Sequence, residues 1–188
     1  MKINLYDFDK TIYDGDSSTD FFFYSLTKYP KIIICLPKIA VAGIRYKLKK
    51  VSKTEMKEVI FSFVKYIPNM NEHITSFWET HRCYLKEFYM KTKHDKDIII
   101  SASPEFLLKP ITDELKVMKL IGSRVDIKTG KFKGLNCHGE EKVKRLNKEY
   151  KNYEVMSSYS DSLSDIPILK LAKKQYIVKK DKLTEVKY

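Results

Sequence analysis

The chain has 188 residues, a hydrophobic fraction of 43%, a charged fraction of 32% and a net charge of +12. That length holds one well-packed domain, or a core with a modest insertion, and excludes two large domains, while the composition excludes a disordered chain. The charge calls for an anionic partner (nucleic acid, a phosphorylated substrate or an acidic membrane surface), and three widely spaced cysteines, Cys35, Cys83 and Cys137, exclude a disulfide frame or zinc site and fit a reducing cytoplasm.

The opening "MKINLYDFD" is too short and too quickly charged for a signal peptide. Ile3, Leu5 and Tyr6 read as a buried strand whose carboxyl end presents Asp7. From Ser17 to Tyr89 the signals are helical. The most apolar stretch, Ile32 to Ile44, is shorter than the roughly 20 residues a bilayer requires and is interrupted by Pro37 and Lys38. No acidic residue stands between Asp20 and Glu55, whereas Lys28, Lys31, Lys38, Arg45, Lys47, Lys49, Lys50 and Lys53 all do. A core helical hairpin with a solvated basic rim is the first expectation there, and a segment lying at an anionic membrane interface is the alternative. "SKTEMKEVIFSFVKYIP" reads as a helix: Ser52 and Glu55 have capping-box spacing, and Met56, Val59, Ile60, Phe63, Val64 and Ile67 form a stripe closed by Pro68. The aromatics of "ITSFWETHRCYLKEFYM" fall at helical core spacing.

The isoleucines Ile98 to Ile100 mark a second strand ending at Ser101, followed by a helix with Ser103 as N-cap and Pro104 at its first position. A short strand and a hairpin, Val125–Ile127 with Lys131–Lys133, are expected next, then a helix in "GEEKVKRLNKEY", a strand ending at Asp161, a helix in "SDIPILKLAKK" and a last strand "QYIV". Strands alternating with helices predict an α/β, doubly wound, Rossmann-like and mostly parallel sheet. The helical interval predicts an all-helical cap over residues 17–89, inserted into a core made of residues 1–16 and 90–188. In such a sheet ligands bind beyond the carboxyl ends of the strands, where Asp7, Ser101 and Asp161 all fall.

Four segments, "DFDKT", "ISAS", "GEEKVKRL" and "YSDSLSD", resemble in order and spacing the motifs of the haloacid dehalogenase-like hydrolases, in the phosphoserine-phosphatase-like branch with a helical cap after the first motif. The resemblance covers nearly the whole chain and sets the register: the family's nucleophile, second acid and threonine fall on Asp7, Asp9 and Thr11. Reading from Asp9, as in an ion-pumping ATPase, places Tyr13 where the threonine should be and lacks the pump's Gly-Thr.

The resemblance implies a phosphatase. A doubly anionic phosphate repels a carboxylate nucleophile, so the reaction needs Mg²⁺, held by Asp7, Asp161 and the backbone carbonyl of Asp9, with Asp165 as the motif's second acid, bound through water or orienting Lys142. Asp7 would form an aspartyl-phosphate and Asp9 would act as general acid and then base. Thr11, Ser101 and Lys142 would bind the phosphoryl group, and Asp16, Ser17, Ser18, Ala102 and Ser103 would contact the substrate. Asp9 speaks against dehalogenation, which protonates no leaving alkoxide. Phosphoserine phosphatases carry Glu at the spacing of Asp16 and an arginine in the cap, and neither Arg45 nor Arg82 stands in a matching context. A small phosphorylated metabolite is the expected substrate, a phosphatidylglycerophosphate-like lipid at the membrane surface the alternative, and nucleic-acid binding by a basic, tyrosine-rich chain the reading from another class.

Overall fold

A computed structural model describes residues Met1 to Tyr188. Six strands, β1 (Lys2–Tyr6), β2 (Asp97–Pro104), β3 (Lys119–Ser123), β4 (Glu154–Ser160), β5 (Ala172–Lys179) and β6 (Lys182–Val186), form one sheet in the order β3-β2-β1-β4-β5-β6. All neighbours are parallel except β5 and β6. This is the doubly wound α/β sheet expected, and β1 lies at the point where the winding reverses. The isoleucine run is continuous because both faces of the sheet are covered. Ile98 and Ile100 join Ile3, Leu5 and Val155 against Leu146 and Ile168 on one face, and Ile99 joins Tyr6 on the other.

Between β1 and β2 lie five α-helices: α1 (Ser17–Lys28), α2 (Leu36–Lys47), α3 (Lys53–Phe61), α4 (Met70–His81) and α5 (Glu87–Thr92). The capping box at α3 forms as expected, with Ser52 and Glu55 exchanging both bonds. These helices have no core of their own. A single apolar cluster runs from Tyr6 and Ile99 through Phe21, Phe63, Phe77 and Trp78, and the Trp78 indole donates to the carbonyl of Leu107 at 2.7 Å. Outside the insertion are α6 (Glu105–Glu114), α7 (Glu140–Glu149) and α8 (Ile166–Leu169).

Several elements differ from expectation for identifiable reasons. Strand β2 continues through Pro104, which pairs with Ser123, so helix α6 starts at Glu105 and Ser103 is not its N-cap; the Ser103 hydroxyl is bonded to Asp9 instead. The segment "SDIPILKLAKK" is a short 3₁₀ turn and α8, and by Ala172 the chain has returned to the sheet, because Ala172 pairs with Val155 of β4. The hairpin at residues 125–133 is reduced to a bridge between Val125 and Phe132, closed by an Asp126 turn. The segment Ile32–Ile44 is not a core hairpin: Ile32, Cys35 and Ala42 are buried, while Ile33, Ile34, Leu36, Val41 and Ile44 face solvent.

His73 of α4 is enclosed by Phe21, Tyr24 and Tyr29 and lies 2.9 Å from the Ser25 hydroxyl. Ser25 spends its one proton on the carbonyl of Phe21, so the Nε2–H of a neutral His73 donates to it. Burial, with the charge of Lys28 adding to it, pushes the His73 pKa down to about 4. The unfolded chain, with an ordinary histidine, takes up its proton near pH 6.5, so this group's contribution is complete above that pH and is lost as the pH falls toward the folded value. The expected outcome in urea titrations between pH 7 and 5 is that His73→Gln removes part of the acid destabilisation, at most about 1.4 kcal/mol per pH unit. Equal pH slopes for the two proteins would contradict it.

Candidate active site

Strand ends bring the catalytic candidates together. The N–H of Asp7 donates to the carbonyl of Tyr159 at 2.9 Å, extending the β1–β4 pairing by one residue and delivering the Asp7 side chain at the sheet's carboxyl edge. Lys142, in the first turn of α7, arrives from far along the sequence, and its Nζ donates to Asp7 Oδ1 and to Asp165 Oδ2, both at 2.7 Å. Asp165 also accepts from the Ser160 hydroxyl at 2.8 Å. Asp7, Lys142 and Asp165 are all buried. Gly139, the N-cap of helix α7, has a φ of +58°, a conformation strained for any side chain, which lets the helix start abruptly at Glu140.

Asp9 forms a second nucleus. Its Oδ1 accepts from the Ser17 N–H at 2.7 Å, and its Oδ2 accepts from the Ser103 hydroxyl at 2.6 Å and, more weakly, from Ser101 at 3.4 Å. The Ser18 and Ser103 hydroxyls are 2.8 Å apart. Asp16 caps α1 by accepting from the Thr19 N–H. The buried Thr11 hydroxyl accepts from the Asp161 N–H at 3.0 Å, so in this structure Thr11 braces the loop that carries Asp161. Ser101, Ser103 and Ser17 are buried on the same side of the sheet edge, with Ala102 between them half exposed.

Burial sets the electrostatics. It raises the Asp7 pKa despite Lys142, with the charges of Asp165 and Asp9 adding to the rise. Burial and then the charge of Asp16 raise Asp9 against the bonds from Ser103 and Ser17. Burial also raises Asp161. Lys142 loses solvation as well, but its two carboxylates outweigh that loss and its pKa rises. The centre is therefore short of positive charge, and its oxygen-only donors suit a hard divalent cation. No three His, Cys, Asp or Glu side chains converge at ligand distance, and Asp165 is engaged by Lys142. Carboxylate and backbone carbonyl oxygens of this kind are the donors that Mg²⁺, which usually keeps several waters, prefers.

Two lysines of α3 belong to this site and carried no signal of their own in the sequence. Lys57 Nζ donates to the carbonyl of Ala102 at 2.9 Å, and burial lowers its pKa against the pull of Asp9 and Asp16. Burial likewise lowers Lys53, which feels Asp165 and Asp16. Their i, i+4 spacing on a capped helix was legible, but which face looked onto the site was not. The neighbouring positions hold α3 in place: Glu58 accepts from the Phe132 N–H at 2.8 Å and Thr54 from the Asn136 N–H at 3.0 Å.

Residues 5–170 match the haloacid dehalogenase-like hydrolase family model. The chain belongs to that family. Its fold is similar to that of a protein with unknown function from Bordetella pertussis Tohama I (19% identity, TM-score 0.72, covering 89% of this chain and 85% of that one). It is also similar to a phosphoserine phosphohydrolase-like protein from Francisella tularensis subsp. tularensis SCHU S4 (17%, TM-score 0.55, 93% and 86%). A phospho-aspartyl intermediate analogue of phosphoserine phosphatase is similar as well (16%, TM-score 0.55, 93% and 84%). Among curated proteins none matches the chain in sequence.

The triad gives a stability test. Lys142→Met leaves Asp7 and Asp165 buried without a counter-charge, and the expected loss at pH 7, with a chelator present, is about 3 kcal/mol or more. Asp7, already raised by burial, would then hold its proton more tightly folded than unfolded, so acidification toward pH 5 should narrow the gap to the wild type. A deficit independent of pH would show that lost packing, not charge, is the cause.

Proposed function

We propose that the chain is a Mg²⁺-dependent phosphomonoester hydrolase that works through an aspartyl-phosphate on Asp7. The observation that carries this reading is the pairing of a buried Asp7, held by Lys142 at 2.7 Å, with an Asp9 whose pKa is raised and whose oxygens are fixed by Ser103 and Ser17. Division into a core of residues 1–16 and 90–188 and a cap of residues 17–89 is part of the proposal, as is a cytoplasmic location, which the three unpaired cysteines support.

Mg²⁺, when held by Asp7, Asp161 and the Asp9 carbonyl, supplies the charge that lets a carboxylate approach a dianionic phosphate. Asp7 attacks phosphorus, the bond to the leaving oxygen breaks, and Asp9 gives that oxygen its proton. Water then attacks phosphorus, Asp9 takes back a proton, and phosphate and free Asp7 result. Lys142 balances charge on the phosphoryl oxygens and is oriented by Asp165, Ser101 donates to a phosphoryl oxygen, and Thr11 serves by steadying Asp161.

For the substrate, likeness to phosphoserine phosphatase folds supports a small phosphorylated metabolite bound near Asp16, Ser17, Ala102 and Ser103. A lipid phosphate of the phosphatidylglycerophosphate kind is the second reading, favoured by one observation. A cavity of about 420 Å³ beside Asp16, Ser18 and Lys57 is walled by Phe22, Phe23, Leu36, Ile39, Ile60 and Phe61. That wall suits an apolar leaving group. Nucleic-acid binding has less support, since Tyr6, Tyr13 and Tyr89 are buried in the core and cannot stack on bases.

The expected outcome is that Asp7→Asn abolishes Mg²⁺-dependent hydrolysis of p-nitrophenyl phosphate. Asp9→Asn should still trap phosphate on Asp7 but lose about 10²–10⁴ in turnover. Most activity surviving in the first variant would overturn the assignment. Phosphatidylglycerophosphate in anionic vesicles should be cleaved faster than soluble phosphomonoesters under the lipid reading; equal rates would remove it.

A further inference from the structure

Helix α2 is turned the opposite way from an ordinary surface helix. Its inward side is Cys35, Ile39 and Ala42, and the opposite side, at helical spacing, is Pro37, Val41, Ile44 and Leu48. Val41, Ile44 and Leu48 are 55–60% exposed, and Ile33 and Ile34 in the preceding turn are 59% and 62% exposed. So large an apolar face left in water marks a contact site. Around the helix axis Lys38 and Arg45 flank the stripe on one side and Lys47 on the other, and Lys31, Lys49 and Lys50 lie at its two ends. None of the six forms a salt bridge.

We propose that this face docks on an anionic lipid bilayer. An apolar stripe bordered on both sides by long cationic side chains is the arrangement that buries hydrocarbon among acyl chains while the ammonium and guanidinium groups reach lipid phosphates. No helix of the chain is long and apolar enough to cross a membrane, so the contact is peripheral. The charge on the face selects the partner. A second copy would bring its own unpaired cations against these, whereas an anionic surface neutralises them. Leu36, at the start of α2, and Phe23 are exposed and also line the apolar cavity beside Asp16, so that cavity reaches the start of the helix that carries the face. Binding to the bilayer does not require the phosphatase reading; only the benefit to a lipid substrate rests on it.

The test is flotation of the full chain with vesicles of phosphatidylcholine alone, or of phosphatidylcholine and phosphatidylglycerol at about two to one. The expected result is binding to the anionic vesicles only, weakened by salt. Val41→Glu with Ile44→Glu should reduce it about tenfold or more, as should Lys38→Glu with Arg45→Glu, since each surface cation contributes about fivefold. These side chains point into solvent, so the circular dichroism spectrum and p-nitrophenyl phosphate hydrolysis should be unchanged. No binding by the wild type, equal binding to neutral vesicles, or binding insensitive to both double variants would overturn the proposal. A wild-type dimer in light scattering that becomes monomeric in Val41→Glu with Ile44→Glu, without vesicle binding, would assign the face to self-association and overturn it too. Vesicle binding as expected from a chain without phosphatase activity would sustain the docking and sink the catalytic reading alone.

Discussion

Everything at the catalytic end of this molecule is arranged around one buried ammonium group. Lys142 is almost without solvent, and its two carboxylate partners, Asp7 and Asp165, are equally withdrawn from water. Such a triad is costly to desolvate and tolerates no misplaced member. Its members come from the end of β1, the start of α7 and the turn after β4, so the ion pairs depend on the parallel pairing of β1 with β4 and on α7 starting where Gly139 lets it. The fold is in this sense a device for holding three charges at hydrogen-bond distance. It leaves them incompletely balanced: Asp9 and Asp161 add carboxylates to the same neighbourhood, which is why burial and mutual repulsion raise the acids there.

The second constraint lies above that centre. Helix α3 presents Lys53 and Lys57 to the carboxylates with one side, while Thr54 and Glu58 accept backbone bonds from the segment after β3. Gly130 belongs to the same clamp: a Cβ there would stand 2.2 Å from the carbonyl of Phe61 at the end of α3, so that segment approaches the helix as closely as it does only because the residue is glycine. Because the inserted helices share one apolar cluster with the sheet, movement of α3 over the site would have to break these bonds and disturb Phe61 and Phe63 within that cluster.

How much of this was legible follows from the range of the forces involved. The sheet, the capping box at Ser52 and the strand ends just before Asp7 and Asp161 depend on local patterns of apolar and polar residues, and all could be read in sequence; the end of β2, expected at Ser101, runs on to Pro104. What escaped was decided by long-range competition. Ser103 reads as a helix cap until Asp9, distant in sequence, claims its hydroxyl. "LAKK" continues a helical pattern until β4 offers Ala172 a pairing partner. Strand β6 was missed because it is a charged, solvent-exposed edge with little apolar signal. For α2 the sequence gives an apolar run and its cations, but periodicity cannot say which side of a helix meets protein, and here the protein side is the narrower one.

The chain's net charge of +12 and its carboxylate-rich centre are opposed features with separate purposes. Around the reacting position stand Asp7, Asp9, Asp16, Asp161 and Asp165 against Lys142, Lys57 and Lys53, so the positive excess of the whole chain does not reside there. A centre of that composition repels a free dianion unless a divalent cation joins it. A run of cations with no acid among them, from Lys31 to Lys50, sits instead on and beside α2, away from those carboxylates. Long-range attraction for an anion and short-range stabilisation of its transition state are thus supplied by different parts of the molecule. On the proposed reading, a phosphorylated ligand would be concentrated at the basic face first and neutralised at the sheet edge second, so that no excess of fixed cations need crowd the buried carboxylates there.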